Sequence, residues 1–214
     1  MKTIFALSGS PRKARSTSNF FIDIVKDFSK ANIKNISALE FLESKKAVED
    51  ILEADVFLVV TPLYIDSLPA PLIRVLEIIE KTSYSFNQKK PHLYAIINNG
   101  FYESEQNTTA LKILENFANA TKFTWGGGLA IGAGSMLADM PDISKGPTAN
   151  VYQALIDFTN IIINDSILNQ NIYVTPKIPR FLYFLSGNLM WKQIAKKHGV
   201  KKRLNDQPFI SKKL

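Results

Sequence analysis

The 214-residue sequence contains no cysteine and only two histidines, His92 and His198. The absence of cysteine excludes disulfide bonds, a thiolate nucleophile, cysteine-ligated iron–sulfur clusters and the common structural zinc sites. With two histidines, a histidine-rich metal site is not expected either, so we predict that no metal is bound. Reactions that need a cysteine or a metal cluster are therefore not expected of this chain.

The sequence also lacks a long hydrophobic run. No apolar stretch approaches the roughly 18 residues that a membrane-spanning helix needs. The chain enters a strand pattern at Thr3 without a preceding basic segment and cleavage site. From these two features we expect a cytoplasmic protein. The length and the 46% hydrophobic content are sufficient for one α/β domain with a substantial core.

Several familiar sequence motifs are missing. The chain has neither the Gly-x4-Gly-Lys-Ser/Thr phosphate loop nor the Gly-x-Gly-x-x-Gly dinucleotide fingerprint. It also lacks the Gly-x-Ser-x-Gly elbow and the His-Glu-x-x-His pair. These absences argue against ATP hydrolysis, a standard dinucleotide-binding domain, and a serine or zinc hydrolase.

Positive charge is concentrated at one end of the chain. The net charge is +7, but residues 177–214 contain ten Lys and Arg against one acid, Asp206, and account for +9. The first 176 residues therefore have a net charge of −2. A nucleic-acid-binding domain would have basic residues spread over one of its faces, so we expect no nucleic-acid partner.

Apolar runs alternate with longer periodic segments along the chain. Continuous hydrophobicity, as in Val56–Val60, is typical of strands buried on both faces of a parallel sheet. The pattern predicts a three-layer, doubly wound α/β domain over residues 1–170 with a five-stranded parallel sheet, and a C-terminal helical tail over 171–214. The predicted strands are Thr3–Leu7, Ile33–Leu39, Val56–Thr61, Leu93–Asn98 and Leu129–Ile131, and the predicted helices are Thr17–Ala31, Ala47–Glu53, Pro71–Lys81, Thr108–Lys122 and Thr148–Asn164.

The loop between the first predicted strand and helix has the composition of an anion site. Its small residues allow backbone N–H groups to converge, its hydroxyls add donors, and Arg12 adds positive charge. The N-terminus of the following helix contributes a partial positive charge. The alternative is that Ser16 or Thr17 only caps the helix.

Two further loops follow the third and fourth predicted strands. Ligands of doubly wound sheets bind beyond the carboxyl ends of the strands, so these loops are expected to border the same site. Both loops present apolar and aromatic side chains beside backbone amides, the first at Pro62–Tyr64 and the second at Asn99–Phe101. A cluster of glycines, Gly126–Gly128 together with Gly132 and Gly134, is expected to flank the fifth strand. Such loops suit a ligand with an anionic tail and a flat ring, such as FMN.

Three segments occur in the order found in one known family. These segments resemble the NAD(P)H-dependent FMN reductase family of the flavodoxin-like fold. Their sequences are GSPRK-x-x-STS, TPLY-x-x-SLPAPL and NNGF-x-E. The resemblance covers about residues 1–165. It implies a strand order of 2-1-3-4-5, bound FMN and a homodimer.

The resemblance also implies a role for each loop. Hydroxyls and amides of the first loop would hold the FMN phosphate, and the other two loops would border the ring. Glu103 would cap the next helix or meet a group of the site, and we favour capping. The cofactor-binding residues implied are Ser10, Arg12, Ser16, Thr17, Ser18, Pro62, Leu63, Tyr64, Asn99, Gly100 and Phe101.

The reaction implied is hydride transfer from NADPH or NADH through FMN to a quinone, azo, nitro, flavin or similar small-molecule acceptor. No catalytic side chain is expected, because the flavin performs the chemistry. The alternatives are a flavodoxin-like electron carrier without a nicotinamide site, and a flavin-free module that has kept the fold.

The C-terminal tail combines apolar and basic residues over Ile178–Arg203. We expect an amphipathic helix that packs on the domain or on a dimer partner. A basic amphipathic helix can also lie on an anionic membrane surface, which is the less favoured interpretation. A further possibility is that Lys201, Lys202 and Arg203 attract the 2′-phosphate of NADPH.

Overall fold

The computed structural model describes residues 2–12, 16–44, 47–84 and 90–206. Three residues of the predicted anion loop, Lys13, Ala14 and Arg15, and residues 207–214 of the tail lie outside the described residues. The chain divides into two compact units, Met1–Lys177 and Ile178–Leu214.

The first unit is built on a parallel sheet with the strand order β2-β1-β3-β4-β5-β6. Its first five strands follow the expected order 2-1-3-4-5. The strands are β1 (Thr3–Ser8), β2 (Asn32–Ser37), β3 (Val56–Pro62), β4 (His92–Asn98), β5 (Thr124–Ile131) and β6 (Ile172–Val174), and the helices are α1 (Thr17–Ser29), α2 (Ala38–Glu43), α3 (Ala47–Glu53), α4 (Ala70–Ser83), α5 (Thr108–Thr121) and α6 (Ala149–Ile163).

The described part of the chain contributes six strands to the sheet, so the prediction of five was wrong. Strand β6 is three residues long and pairs with Leu129–Ile131 of β5. So short a segment has no recognisable hydrophobic pattern, and Pro176 and Pro179 favour an extended linker, so the prediction ends the domain at residue 170. Because β6 belongs to the sheet, the first unit extends to Lys177 rather than to 170.

Helices cover both faces of the sheet. Phe57 and Val59 of β3 point into a core formed with α2, α3, α4 and α5, while Leu58 and Val60 point into a second core formed with α1 and α6. This arrangement explains why β3 is continuously apolar and confirms the three-layer, doubly wound prediction.

Strand β5 begins earlier than predicted and contains Gly126–Gly128, which were expected to flank it. A Cβ atom on Gly126 would overlap the ring of Tyr94, and one on Gly128 would overlap Leu111. The strand therefore lacks side chains at these positions because its neighbours fill the space. Composition alone suggested a loop.

The prediction that β2 extends to Leu39 was also wrong. The strand ends at Ser37, where α2 begins with a capping box: the Ser37 hydroxyl accepts a hydrogen bond from the Glu40 N–H, and the Glu40 carboxylate accepts one from the Ser37 N–H. The Ser-x-x-Glu spacing was the signal for this helix start.

The second unit contains helix α7 (Arg180–Lys197) and a 3₁₀ turn at Lys201–Arg203. A helix was expected here, but the expected single apolar face is not present. At about 100° per residue, Phe181 and Met190 lie on opposite sides of the helix, as do Leu185 and Ile194. Packing of this unit on the domain or on a partner stays a prediction. Within the described parts of the chain, no helix meets the length and hydrophobicity needed to cross a membrane.

Candidate functional site

A cleft lies at the carboxyl ends of β1, β3 and β4. It is lined by ten of the eleven residues assigned from the sequence, the exception being Phe101. What each residue binds stays a prediction. The lining residues are Ser10, Arg12, Ser16, Thr17, Ser18, Pro62, Leu63, Tyr64, Asn98, Asn99, Gly100 and Ser135.

The first wall is formed by the loop after β1 and the N-terminus of α1. The buried Ser10 hydroxyl accepts a hydrogen bond from the Arg12 N–H at 3.3 Å, which folds the loop onto itself. Ser16 caps α1, since its Oγ accepts a bond from the Asn19 N–H at 3.2 Å. A hydroxyl that accepts a bond still has its own proton to donate, so capping and anion binding are compatible at Ser16. The first turn of α1 also offers backbone N–H groups that have no carbonyl partner within the helix.

Three buried polar atoms in this cleft have no hydrogen-bond partner among the described residues. They are Ser18 Oγ, Asn98 Oδ1 and Asn99 Oδ1. Asn99 Nδ2 donates to the Glu103 carbonyl at 3.0 Å, which fixes its amide and leaves Oδ1 as the unsatisfied atom. Each buried unsatisfied group costs about 1–3 kcal/mol. Their concentration beside a helix N-terminus indicates a site for a polar ligand.

The second wall is a tight turn after β3. The N–H and carbonyl groups of Tyr64 and Ser67 exchange hydrogen bonds at 2.9 and 3.1 Å. The two residues between them, Ile65 and Asp66, have left-handed φ values of 48° and 58°, as a hairpin turn with two positive φ angles requires. The Leu63 N–H donates to the Asn98 carbonyl at 2.7 Å and fastens the loop to the end of β4. The turn thus presents the half-exposed Tyr64 ring at the cleft.

The third wall joins the loops that follow β4 and β5. The Asn99 N–H donates to the Ile131 carbonyl at 3.1 Å, and the Gly134 N–H donates to the Asn99 carbonyl at 2.8 Å. A Cβ atom on Gly134 would lie 2.7 Å from Asn98 Cβ, whereas one on Gly100 would lie 3.5 Å from its nearest neighbour, Ser135 Oγ. Of these two glycines, Gly134 and not Gly100 is therefore required by the close packing of the chain on itself.

Two lining residues, Asn98 and Ser135, were not assigned from the sequence. Asn98 was placed at the end of a strand, and Ser135 follows a glycine cluster that was interpreted as a flank. Both residues could have been predicted to line the cleft from the parallel arrangement of β4 and β5. The ends of these two strands, and the loops that follow them, lie at the same edge of the sheet.

Phe101 and Glu103 lie at the margin of this site. The side chain of Phe101 is exposed outside the cleft, and its carbonyl accepts a bond from the Ala133 N–H. Its assignment as a stacking surface or lid stays a prediction.

The side chain of Glu103 does not cap the following 3₁₀ turn, Ser104–Asn107. The favoured capping role of Glu103 is therefore not observed at that turn.

Comparison with solved structures identifies proteins with the same architecture. An NADH:FMN oxidoreductase is 18% identical, with a TM-score of 0.56 over 75% of this chain and 89% of that one. An NADPH-quinone reductase from P. pentosaceus is 22% identical, with a TM-score of 0.54 over 74% and 98% of the two chains. A flavodoxin from Streptococcus pneumoniae is 13% identical, with a TM-score of 0.53 over 77% and 99%.

The chain also matches part of a longer protein. It spans 35% of the rubredoxin:oxygen oxidoreductase from Desulfovibrio gigas, at 12% identity and a TM-score of 0.51. No family model matches the sequence, and no curated protein matches it. At these identities the comparisons establish the fold, and the first unit has the flavodoxin-like fold that these solved structures share.

Proposed function

We propose that this protein is an FMN-dependent oxidoreductase that takes a hydride from NADH or NADPH and reduces a small-molecule acceptor of the quinone, azo, nitro or flavin type. The observation that supports this function most directly is the set of unsatisfied polar atoms on Ser18, Asn98 and Asn99 in one cleft, between a helix N-terminus and the Tyr64 turn.

The residues of the cleft fit FMN. Ser10, Ser18 and the first turn of α1 would hold its phosphate through hydroxyl and amide donors, with Arg12 adding charge. Leu63 and Tyr64 would border its ring. FMN, when bound, supplies the redox chemistry, because it accepts a hydride and passes reducing equivalents on. The chain itself would orient the cofactor and limit the access of water, which requires no acid–base side chain.

A flavodoxin-like electron carrier is the second candidate. Such a protein holds FMN but has no nicotinamide site, and the flavodoxin and reductases above share this fold. The fold therefore does not discriminate between the two functions. The charge of the first 176 residues is a weak argument for a reductase, since carriers are typically acidic and this charge is only −2.

The visible spectrum of the purified protein tests the proposal. The protein is incubated with FMN, freed of unbound ligand, and titrated anaerobically with NADPH and then with NADH. We expect a retained flavin band that bleaches rapidly with at least one nucleotide. A retained band that neither nucleotide bleaches would assign the protein to the carriers, and the absence of a retained band would contradict the FMN assignment.

Substitution of Ser18 by alanine is expected to change two properties in opposite directions. Without FMN the substitution removes a buried hydroxyl that has no partner, so the free energy of unfolding should rise by about 1 kcal/mol. With FMN it removes a donor to the phosphate, so the affinity should fall about fivefold. Denaturant unfolding of the FMN-free protein and fluorescence titration with FMN measure the two effects.

Ser83→Ala is the matched control. Ser83 is equally buried, but its hydroxyl donates to the Glu80 carbonyl at 2.8 Å and lies outside the cleft. This substitution should lower stability and leave FMN affinity unchanged. If Ser18→Ala behaves like Ser83→Ala, then Ser18 does not contact the ligand.

A further inference from the structure

The second unit combines an uncharged apolar helix with a basic end. Between Arg180 and Lys192 the helix α7 has eleven successive residues without charge. Most of these are large apolar or aromatic residues, and Ala195 is the only buried residue among the described ones of this helix. The exposed large side chains are Phe181, Leu182, Phe184, Leu185, Leu189, Met190, Trp191 and Ile194.

The angular distribution of these side chains limits what can cover them. A helix that packs against a protein surface has its apolar residues on one stripe, and the opposite side is polar. In α7 the pairs Phe181–Met190 and Leu185–Ile194 point in opposite directions, so a single protein surface would cover only half of them. A helix that is apolar on all sides is suited to being surrounded by apolar groups. A helix that sinks about 5–10 Å into the boundary between headgroups and acyl chains is covered along its sides as well as on its underside, which a flat protein surface does not achieve.

The charges of the unit indicate the sign of that surface. Its described residues include seven Lys and Arg but one acid, Asp206. Cations stand at both ends of the uncharged run, so the helix would lie along the surface, with the long basic side chains reaching the headgroups. Trp191 and Tyr183 are the residue types that favour the membrane interface. Nucleic acid would satisfy the charge but not the exposed apolar side chains.

We propose that helix α7 and the basic turn after it bind the protein to the surface of an anionic phospholipid membrane. The apolar side chains enter the boundary between headgroups and acyl chains, and Lys196, Lys197, Lys201, Lys202 and Arg203 lie among the phosphates. This proposal does not depend on flavin binding.

Binding of the full-length protein to vesicles tests the proposal. Vesicles of phosphatidylglycerol and phosphatidylcholine are compared with vesicles of phosphatidylcholine alone, by co-sedimentation and by tryptophan emission. The chain has two tryptophans, so Trp125→Phe leaves Trp191 as the single reporter. We expect binding about tenfold or more tighter to the anionic vesicles, weakened by salt, and a blue shift of the Trp191 emission.

Two charge variants separate the tail from the rest of the surface. Replacing Lys196, Lys197, Lys201, Lys202 and Arg203 with glutamine should reduce binding by about a hundredfold or more, because each contributes several-fold to the affinity. The matched control removes five exposed lysines of the first unit and should bind as the unaltered protein does. The control lysines are Lys26, Lys81, Lys112, Lys122 and Lys145.

Three results would overturn the proposal. The first is the absence of binding to anionic vesicles, and the second is equal loss of binding in both charge variants. The third is Trp191 emission that is already blue-shifted without lipid and depends on protein concentration, which would assign the helix to contacts with a second copy. In the first of these cases, binding to RNA would assign the basic residues to nucleic acid instead.

Discussion

Replacing Arg12 with alanine is expected to weaken FMN binding about ten- to a hundredfold, a loss of about 1.5–3 kcal/mol. Arg12 lines the cleft from the loop after β1, and its backbone N–H donates a hydrogen bond to Ser10 Oγ. The guanidinium would form a charge-assisted hydrogen bond with the doubly charged phosphate, which is stronger than a bond between neutral groups. Fluorescence titration of the FMN-free protein measures the affinity.

Riboflavin provides a control for this prediction, because it has the same ring and ribityl chain but no phosphate. Arg12→Ala should leave riboflavin affinity unchanged while FMN affinity falls. Arg74→Ala is the matched protein control, since Arg74 is an exposed arginine of α4 that lies outside the cleft and faces Glu77 at 3.9 Å. Equal losses for FMN and riboflavin would show that Arg12 acts on the shape of the loop and not on the phosphate.

The sequence predicted which loops meet at the cleft better than it predicted the limits of the sheet. Ser10, Leu63 and Asn99 belong to loops that directly follow strongly apolar strands, and the geometry of a parallel sheet brings such loops to one edge. Each strand could be recognised because its neighbours bury it on both faces. The choice of these loops therefore followed from hydrophobic pattern and strand direction, and the resemblance to the FMN reductases selected the residues within them.

Features that depend on distant partners could not be predicted in this way. Strand β6 has three residues, and its partner Leu129–Ile131 is more than forty residues away in the chain. Gly126 and Gly128 lie within a strand because Tyr94 and Leu111 occupy the space above them. No local pattern reports such neighbours, and glycine composition by itself favours a loop.

Helix α7 shows a different limit of prediction from the sequence. Its composition suggested an amphipathic helix, but the residues of the apolar set are not spaced at three and four positions throughout. Counting angles along the segment would have shown that apolar residues lie on every side. The basic cluster that follows the apolar segment favoured the prediction of a basic amphipathic helix, which does not take this angular distribution into account.

Substitution of Gly126 by alanine is expected to destabilise the first unit by about 1–3 kcal/mol, because a Cβ atom there would overlap the ring of Tyr94. Tyr94 is fully buried, and its hydroxyl donates to the Ser166 carbonyl at 3.1 Å, so the ring has little freedom to move away. Burial raises the pKa of Tyr94 to about 12, with a contribution from the Asp165 charge, so the phenol stays protonated at neutral pH. Thermal unfolding should show a decrease of roughly 2–4 °C for each kcal/mol lost.

Two further variants make this prediction specific to the overlap. In a Tyr94→Leu background, where the ring is absent, the same alanine should cost less, and the double-mutant cycle should give a coupling energy of about 0.5–3 kcal/mol. Gly187→Ala is the control, since Gly187 lies in α7 and no atom of the described residues comes within 4 Å of the added Cβ. Alanine is also the better helix former. This control should not lower the unfolding temperature. If Gly126→Ala costs as much without the Tyr94 ring as with it, the glycine is required by the backbone of β5 and not by the ring that lies over it.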